Sequence, residues 1–504
     1  MFKKVLIANR GEIAVRVIKA LRELGIKVVC IYSQADKNAL HVKLADEAYD
    51  LGDPLPINSY LNIDKIIEIA KKARVDAIHP GYGFLSENSL FAKEVENNGI
   101  KFIGPNYKVI ELLGDKIESR KTAFKAGVPI SLGLEITEYN EKILNEIEEK
   151  IGFPVMIKAS KGGGGKGIRI VYDKNLLKDS IESAQREALN AFGDKTVYIE
   201  KYFENPRHIE VQIIGDEHGN ILHLYERECS IQQRFQKIIE ETPSPTIDDE
   251  TRYRITQAAK KLAQYVGYYN AGTVEFIVDK NNNFYFLEVN TRLQVEHPIT
   301  EITTNIDIVK TQILVAAGHK LSINQEDIKQ NLNVIEVRVN AEDPENNFIS
   351  SPGQVKILKF PNIIKAIRID TYLEENSIIP PYYDSLVAKV ITWDKSRINA
   401  INKMILALKN FVILPIKTNK EYVIDILSHP EFINANIHTN FIIEHMKNWR
   451  FQNKISDYNL KDFIGAYLIN KINIDNSKEK IILNQKTLNQ KNKEYSLFSL
   501  VCLI

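Results

Sequence analysis

Glu275, Glu288, Asn290, Arg292, Gln294 and Glu296 are the side chains that could hold a hard cation beside a small anion. Residues 284–287 are aromatic or aliphatic and predict a strand, and residues 272–278 predict another, with Asn281-Asn282-Asn283 as the turn between them. Residues two apart on an extended chain share a face, so Glu288 and Asn290 point one way. A hairpin symmetric about that turn sets Glu275 opposite Glu288. Facing carboxylates repel unless a cation lies between them. Two acids and an amide oxygen suit Mg²⁺, an oxygen-seeking ion commonly shared with substrate phosphates. The alternative is a solvated hairpin with its charges outward. The next segment argues against it: Arg292, Gln294 and Glu296 alternate along what reads as extended chain, up to His297-Pro298. Cation, amide and carboxylate in a row describe an anion site.

A second feature points to phosphate. A strand over residues 155–159 carries Lys158 and runs into Lys161, four glycines at 162–165, then Lys166-Gly167. Four consecutive glycines lose much backbone entropy on folding, so a loop whose amides fold over phosphates is a better reading than a linker. It is not a Walker A loop, because Gly167, not Ser or Thr, follows Lys166. With the lysine strand and the downstream acids, the loop completes a nucleotide lid, a phosphate clamp and a metal site. Arg338 falls mid-strand, where a buried ion pair and an anion contact are equally good readings. His208, alone at the start of a strand, reads more simply as structural.

These residues need a scaffold. Residues 2–115 alternate strand and helix patterns: a strand at 5–8, a helix striped by Ala14, Val17, Ile18, Leu21 and Leu24, and a strand at 28–32. A βαβ start predicts a doubly wound parallel sheet. The G-x-G-x-x-G fingerprint is absent after the first strand. A strand at 76–78 enters His79-Pro80-Gly81-Tyr82-Gly83-Phe84-Leu85-Ser86-Glu87-Asn88, whose glycines suit a loop that approaches a ligand or another loop.

The 504 residues are enough for two to four domains, and 66 basic against 65 acidic residues give no sign of nucleic-acid binding. Cys30, Cys229 and Cys502 are scattered and odd in number, as expected of reduced thiols in a cytoplasmic protein. No signal peptide and no membrane span is expected. From residue 450 the character changes: Leu460, Phe463, Ile464, Tyr467 and Leu468 make a helical stripe, followed by a polar stretch and a short apolar tail.

Glu-Val-Asn-Thr-Arg-Leu-Gln-Val-Glu-His-Pro at 288–298 resembles the metal and bicarbonate segment of biotin carboxylases, members of the ATP-grasp superfamily. So do the 79–88 block and Ile7-Ala8-Asn9-Arg10-Gly11-Glu12-Ile13-Ala14, and the similarity runs over about residues 1–447. The resemblance implies an α/β chain with the ATP-grasp fold: a doubly wound parallel-sheet domain (1–115), an ATP-grasp part with a small glycine-loop lid (116–203), a large subdomain with the metal and bicarbonate site (204–330), a C-terminal α+β domain (331–447) and an extension of unknown role (448–504). It implies carboxylation of biotin N1′ on a carrier protein through carboxyphosphate made from ATP and bicarbonate. Lys116, Lys158, His208 and the lid glycines Gly164 and Gly165 would contact ATP, with Glu200, Lys201, Tyr202 and Phe203 around adenine. Glu275, Glu288 and Asn290 would bind two Mg²⁺ or Mn²⁺ ions. Lys237, Arg292, Gln294 and the Val295 backbone would hold bicarbonate, Glu296 would be the base, and Arg338 would stabilise charge on the biotin ureido oxygen. A homodimer is implied. No carrier domain is visible in the sequence, so carrier and carboxyltransferase are expected on separate chains. The acceptor could be an acyl-CoA, such as acetyl- or propionyl-CoA, or pyruvate.

The chain departs from the pattern at Phe235, a nucleotide-contacting position where most relatives have His, and at Lys161, where a glycine is common. Its tail is also longer than in bacterial stand-alone enzymes. Another ATP-grasp ligase using carboxyphosphate is the alternative, though it would lack the combination of the 292–297 segment with Arg338. A non-catalytic ATP-binding scaffold should have lost some of these residues, and none is lost.

Overall fold

The computed structural model describes residues 1–451 apart from 139, 160–168, 193 and 362–364. The helical stripe expected after residue 450 and lid glycines Gly164 and Gly165 lie outside the described residues.

The chain begins with β1 (Lys4–Ile7), α1 (Gly11–Glu23), β2 (Lys27–Ser33), β3 (Glu47–Gly52), α2 (Ile63–Ala73), β4 (Ala77–His79), α3 (Ser89–Asn97) and β5 (Lys101–Phe102). The five strands form a parallel sheet in the order β3-β2-β1-β4-β5, doubly wound as the alternating pattern predicts. Successive side chains on each strand feed opposite cores. Val5, Ile7, Val28 and Cys30 join Val17 and Leu21 of α1, while Leu6, Val29 and Ile31 join Ile66 of α2 and Phe91 of α3.

Next come α4 (Lys116–Lys125), β6 (Gly133–Ile136), β7 (Val155–Ala159), β8 (Arg169–Val171), α5 (Leu177–Phe192) and β9 (Val197–Lys201). A small antiparallel sheet has the order β6-β9-β7-β8. Its hydrophobic core includes Ile157, Ile199 and, from α5, Ile181.

The largest layer comprises β10 (Arg207–Gly215), β11 (Ile221–Gln233), β12 (Gln236–Thr242), α6 (Asp249–Tyr265), β13 (Asn270–Val278), β14 (Phe284–Asn290), α7 (His297–Thr304), β15 (Asn333–Asn340), β16 (Ile367–Thr371) and β17 (Leu386–Asp394). The eight strands run β14-β13-β10-β11-β12-β15-β17-β16, and every neighbouring pair is antiparallel. This one sheet joins β13 and β14, which carry the acids, to β15, which carries Arg338. Behind it, α8 (Arg397–Asn410) contributes Ile401, Met404 and Leu408 to a core with Val337, Val339 and Val390. The last described helix, α9 (Phe441–His445), buries Phe441 in the same core.

Candidate active site

In the hairpin of β13 and β14, Glu275 pairs with Glu288, as the symmetric turn predicts. The register shifts next to that pair: Phe276 faces Phe286, so Leu287 is an extra residue on β14. A bulge of this kind turns side chains relative to the regular alternation. Here it leaves Glu275 and Asn290 buried and Glu288 exposed. Asn290 Nδ2 donates to Glu275 Oε1 at 2.8 Å. Although Glu288 is reached by solvent on one side, the protein crowded around its carboxyl and the Glu275 charge both push that carboxyl upward, and Lys116, the first residue of α4, opposes them. Two carboxylates and an amide form an all-oxygen donor set, and a divalent ion would relieve the repulsion that raises Glu288. The residues present therefore fit Mg²⁺ or Mn²⁺.

Residues 291–296 are not extended. They turn, and Glu296 becomes the residue preceding α7, with φ −80° and ψ 9°. The expected alternation is thus corrected: a turn, not a strand face, groups these side chains. Arg292 Nη1 still reaches Gln294 Oε1 at 3.4 Å, and its Nη2 reaches Asn290 Oδ1 at 3.0 Å. Gln294 Nε2 donates to Glu275 Oε1 at 3.0 Å. The 79–88 block does approach another loop: Glu87 accepts from Arg292 Nε at 2.8 Å and from the Thr291 amide at 3.1 Å. The block is folded back by Asn9, whose Nδ2 donates to the carbonyls of Pro80 and Tyr82, both at 2.7 Å. Gly81 between them has φ +64°, and a Cβ there would lie 2.8 Å from Asn9 Nδ2.

Lys237, on β12, is the hub. Its ammonium lies 2.5 Å from Glu210, 2.8 Å from Glu275 and 2.9 Å from Glu296. Burial opposes that charge, but the three carboxylates outweigh burial and hold the Lys237 pKa well above its usual value. Glu296 is fully buried, yet Lys237 and Arg338 keep its carboxyl well below the usual range. Arg338 Nη2 meets Glu296 at 3.0 Å and its Nε meets Glu240 at 2.6 Å. The ion-pair reading of Arg338 therefore holds in this state. Burial pushes Glu240 up to about 7, with Arg338 pulling down and Glu296 pushing up. His208 Nε2 is 2.8 Å from Glu275 Oε2, and Gln232 Nε2 lies 2.7 Å from His208 Nδ1, so this histidine belongs to the site rather than to a detached core.

The remaining expected residues lie on the small sheet, at the tip of a hairpin of the large sheet and in the turn before α7. Lys158 forms an ion pair with Glu200 across β7 and β9. The amides of Lys201 and Tyr202 donate to the carbonyls of Leu132 and Pro154, at 3.0 and 3.1 Å. Phe203 stacks on Tyr285 with centroids 4.8 Å apart. Phe235 sits at the tip of the β11–β12 hairpin, 76% exposed, and both Arg234 and Phe235 have positive φ. The Val295 carbonyl accepts from Lys389 Nζ at 2.9 Å.

Sequence reasoning missed Glu210, Arg227, Glu240 and Lys389. Glu210 alternates with His208 on β10, a period-2 signal that could have exposed it. Arg227, fully buried, bonds Glu210, Gln212 Oε1 at 2.8 Å, Thr300 Oγ1 at 2.9 Å and Thr273 Oγ1 at 3.1 Å. Its partners come from two strands and α7, so no local pattern marks it.

Comparison with known proteins agrees with this geometry. Residues 1–110 match the family described as biotin carboxylase, N-terminal domain. Residues 115–324 match the ATP-binding domain of the carbamoyl-phosphate synthase L chain, and residues 336–444 the biotin carboxylase C-terminal domain. The chain is 52% identical over 447 residues to a pyruvate carboxylase subunit of Methanothermobacter thermautotrophicus, covering 89% of this chain and 91% of that one. It is 48% identical to biotin carboxylase 2 of Bacillus subtilis, covering 88% of this chain and all of the relative. Among solved structures, the biotin carboxylase domain dimer of Hydrogenobacter thermophilus 2-oxoglutarate carboxylase, in complex with MgADP, ADP and bicarbonate, superposes with a TM-score of 0.84 at 46% identity, covering 90% of this chain and 100% of that one. With the acid hairpin, the Lys237 hub and the Glu296–Arg338 pair in place, the chain belongs to the biotin carboxylase family.

Proposed function

We propose that the Lys237–Glu296–Arg338 chain of ion pairs is the reaction centre of this ATP-dependent ligase, which carboxylates biotin at the expense of ATP. The observation that carries the reading is a buried carboxylate held ionised between two cations. Lys237, Arg292, Gln294 and the backbone of Val295 hold bicarbonate there. Glu296 takes its proton, and a carbonate oxygen attacks the γ-phosphorus of ATP as the bond to ADP breaks. The product is carboxyphosphate. Biotin N1′ bonds to its carboxyl carbon as the bond from that carbon to the phosphate oxygen breaks, and the N1′ proton passes to the departing phosphate. Arg338 neutralises the charge that develops on the ureido oxygen, the kind of preorganised stabilisation that acts most strongly in a water-excluded site. Bicarbonate is a poor nucleophile, so a base beside a cationic clamp is what the first step requires.

ATP lies between the sheets in this proposal, with Lys116, Lys158, His208, Gly164 and Gly165 at the phosphates. Residues 200–203 take the adenine side, and Phe235 stands at the margin. Glu275, Glu288 and Asn290 hold two Mg²⁺ or Mn²⁺ ions, which neutralise phosphate charge when bound. We also propose the functional division 1–115, 116–203, 204–330, 331–447 and 448–504. The chain would work in the cytoplasm as a homodimer, with the carrier protein and carboxyltransferase on other chains. The relatives are named for carboxylases with different acceptors, and the acceptor is chosen by the carboxyltransferase.

The test is phosphate release from ATP by the purified chain with Mg²⁺ and bicarbonate, with and without free biotin. Biotin stimulation that disappears in Arg338→Ala supports the reading. Bicarbonate-dependent turnover indifferent to biotin and to its carrier would favour another carboxyphosphate-forming ligase.

A further inference from the structure

A second constellation of ligating side chains lies near the C-terminal end of the described chain. His438, Glu444 and His445 each place one ligand atom within 4.8 Å of the other two. His438 Nε2 is 3.5 Å from Glu444 Oε2. That gap is longer than the roughly 2.7–2.9 Å of a charge-assisted hydrogen bond. It matches the spacing of two ligands on one tetrahedral ion, since metal bonds of about 2.0–2.2 Å place neighbouring ligand atoms about 3.3–3.6 Å apart. The other ring nitrogen of His438, Nδ1, is buried without a hydrogen-bond partner among the described residues. His438 thus has no close hydrogen bond there from either ring nitrogen, an uncommon state for a largely buried imidazole.

The frame is firm. Phe441, fully buried, packs its ring against His445, with centroids 4.8 Å apart, and against His429 at 5.5 Å. His429 in turn lies over His445 at 4.7 Å.

We propose that His438, Glu444 and His445 form a site for a borderline divalent transition ion of the Zn²⁺ class, with an open fourth position. Two imidazoles and one carboxylate select against Mg²⁺, which prefers oxygen donors alone. The site is therefore chemically distinct from the Glu275–Glu288 pair. Its location gives it a consequence. Glu444 Oε1 accepts from Asn205 Nδ2 at 2.9 Å, Asn440 Nδ2 donates to Asn205 Oδ1 at 2.8 Å, and the Thr439 amide donates to the Pro206 carbonyl at 2.9 Å. Residues 202–206 are the return from the small sheet, between β9 and β10. An ion on Glu444 braces that return.

The experiment is a Co²⁺ and Zn²⁺ titration of the tag-free full-length chain with Mg²⁺ in large excess, so that oxygen-only sites stay filled. The expected result is one Co²⁺ with the intensified visible bands of a four-coordinate site, displaced by Zn²⁺. Because even outer-shell changes cost metal sites about 10–100-fold, affinity should fall at least tenfold in His438→Ala/His445→Ala. Glu444→Gln, at an exposed position, should weaken binding too and covers the case in which the double variant does not fold. Wild-type and variant chains that bind Co²⁺ equally, or a wild-type chain that binds none, would overturn the site. Hydrogen exchange at residues 202–206 that Zn²⁺ leaves unchanged in the wild type would overturn the bracing.

Discussion

Glu296 and Arg338 are joined at 3.0 Å, although one ends a turn beside α7 and the other lies on β15. The proposed base and the proposed biotin-facing cation are one ion pair. Replacing Glu296 with Gln keeps the shape and removes the proton acceptor. Turnover should fall by about 10²–10⁴-fold, the usual contribution of general base catalysis, with ATP binding near normal. Steady-state phosphate release and nucleotide titration check this, and unchanged turnover would remove Glu296 from the role.

Glu87 positions Arg292 through its Nε and through the preceding Thr291 amide. Glu87→Ala should raise KM for bicarbonate roughly tenfold or more while changing KM for ATP little, because small displacements of a positioning group are costly. A bicarbonate titration that matches the wild type would show that Arg292 is held without Glu87.

Lys389 has no exposure, lies 3.1 Å from Glu12 and donates to the Val295 carbonyl. Lys389→Met leaves buried carboxyl groups uncompensated and frees the turn at Val295. Breaking a buried pair costs about 3–5 kcal/mol, so the urea midpoint should drop markedly. At temperatures where the variant stays folded, bicarbonate-dependent turnover should fall further than the folded fraction does.

Buried histidines set a pH limit, His297 among them, since burial holds it well below its usual value. Burial holds His79 at about 3 and His41 and His223 at about 4, well below the roughly 6.5 of an unfolded chain. Below that unfolded value the unfolded chain binds protons that the folded one refuses, so stability falls as pH drops from about 6.5 towards 3–4. Above that range the contribution is constant. Urea midpoints between pH 7.5 and 5 should decline, and His79→Asn should flatten the decline. A slope unaltered by that change would mean His79 is protonated in the fold.

Phe235→His places at an exposed hairpin tip the residue that the family resemblance implies there. Stability should change by less than about 0.5 kcal/mol, as for most surface substitutions. Turnover should persist with an equal or lower KM for ATP. Complete loss of activity would give Phe235 a packing role that its exposure argues against.

The sequence alone determined whatever depends on local periodicity. Alternation of strand and helix patterns named the doubly wound sheet, and the Asn281-Asn282-Asn283 turn set Glu275 against Glu288, because hairpin register follows from the turn. The type and order of Glu275, Glu288, Asn290, Arg292 and Glu296 led to the expectation of a metal and anion site, and the structure brings these side chains together. The 291–296 turn was not legible, since alternating polar residues read the same whether the chain extends or turns. Only the tertiary structure brought Lys237 between Glu210, Glu275 and Glu296, and Glu240 onto Arg338. Those groups come from different strands of one sheet and the turn beside it, and strand order is settled by which apolar faces must be covered. A buried charge such as Arg227 is tolerated only when partners from several elements converge on it. That convergence belongs to the packing and leaves no trace in spacing along the chain.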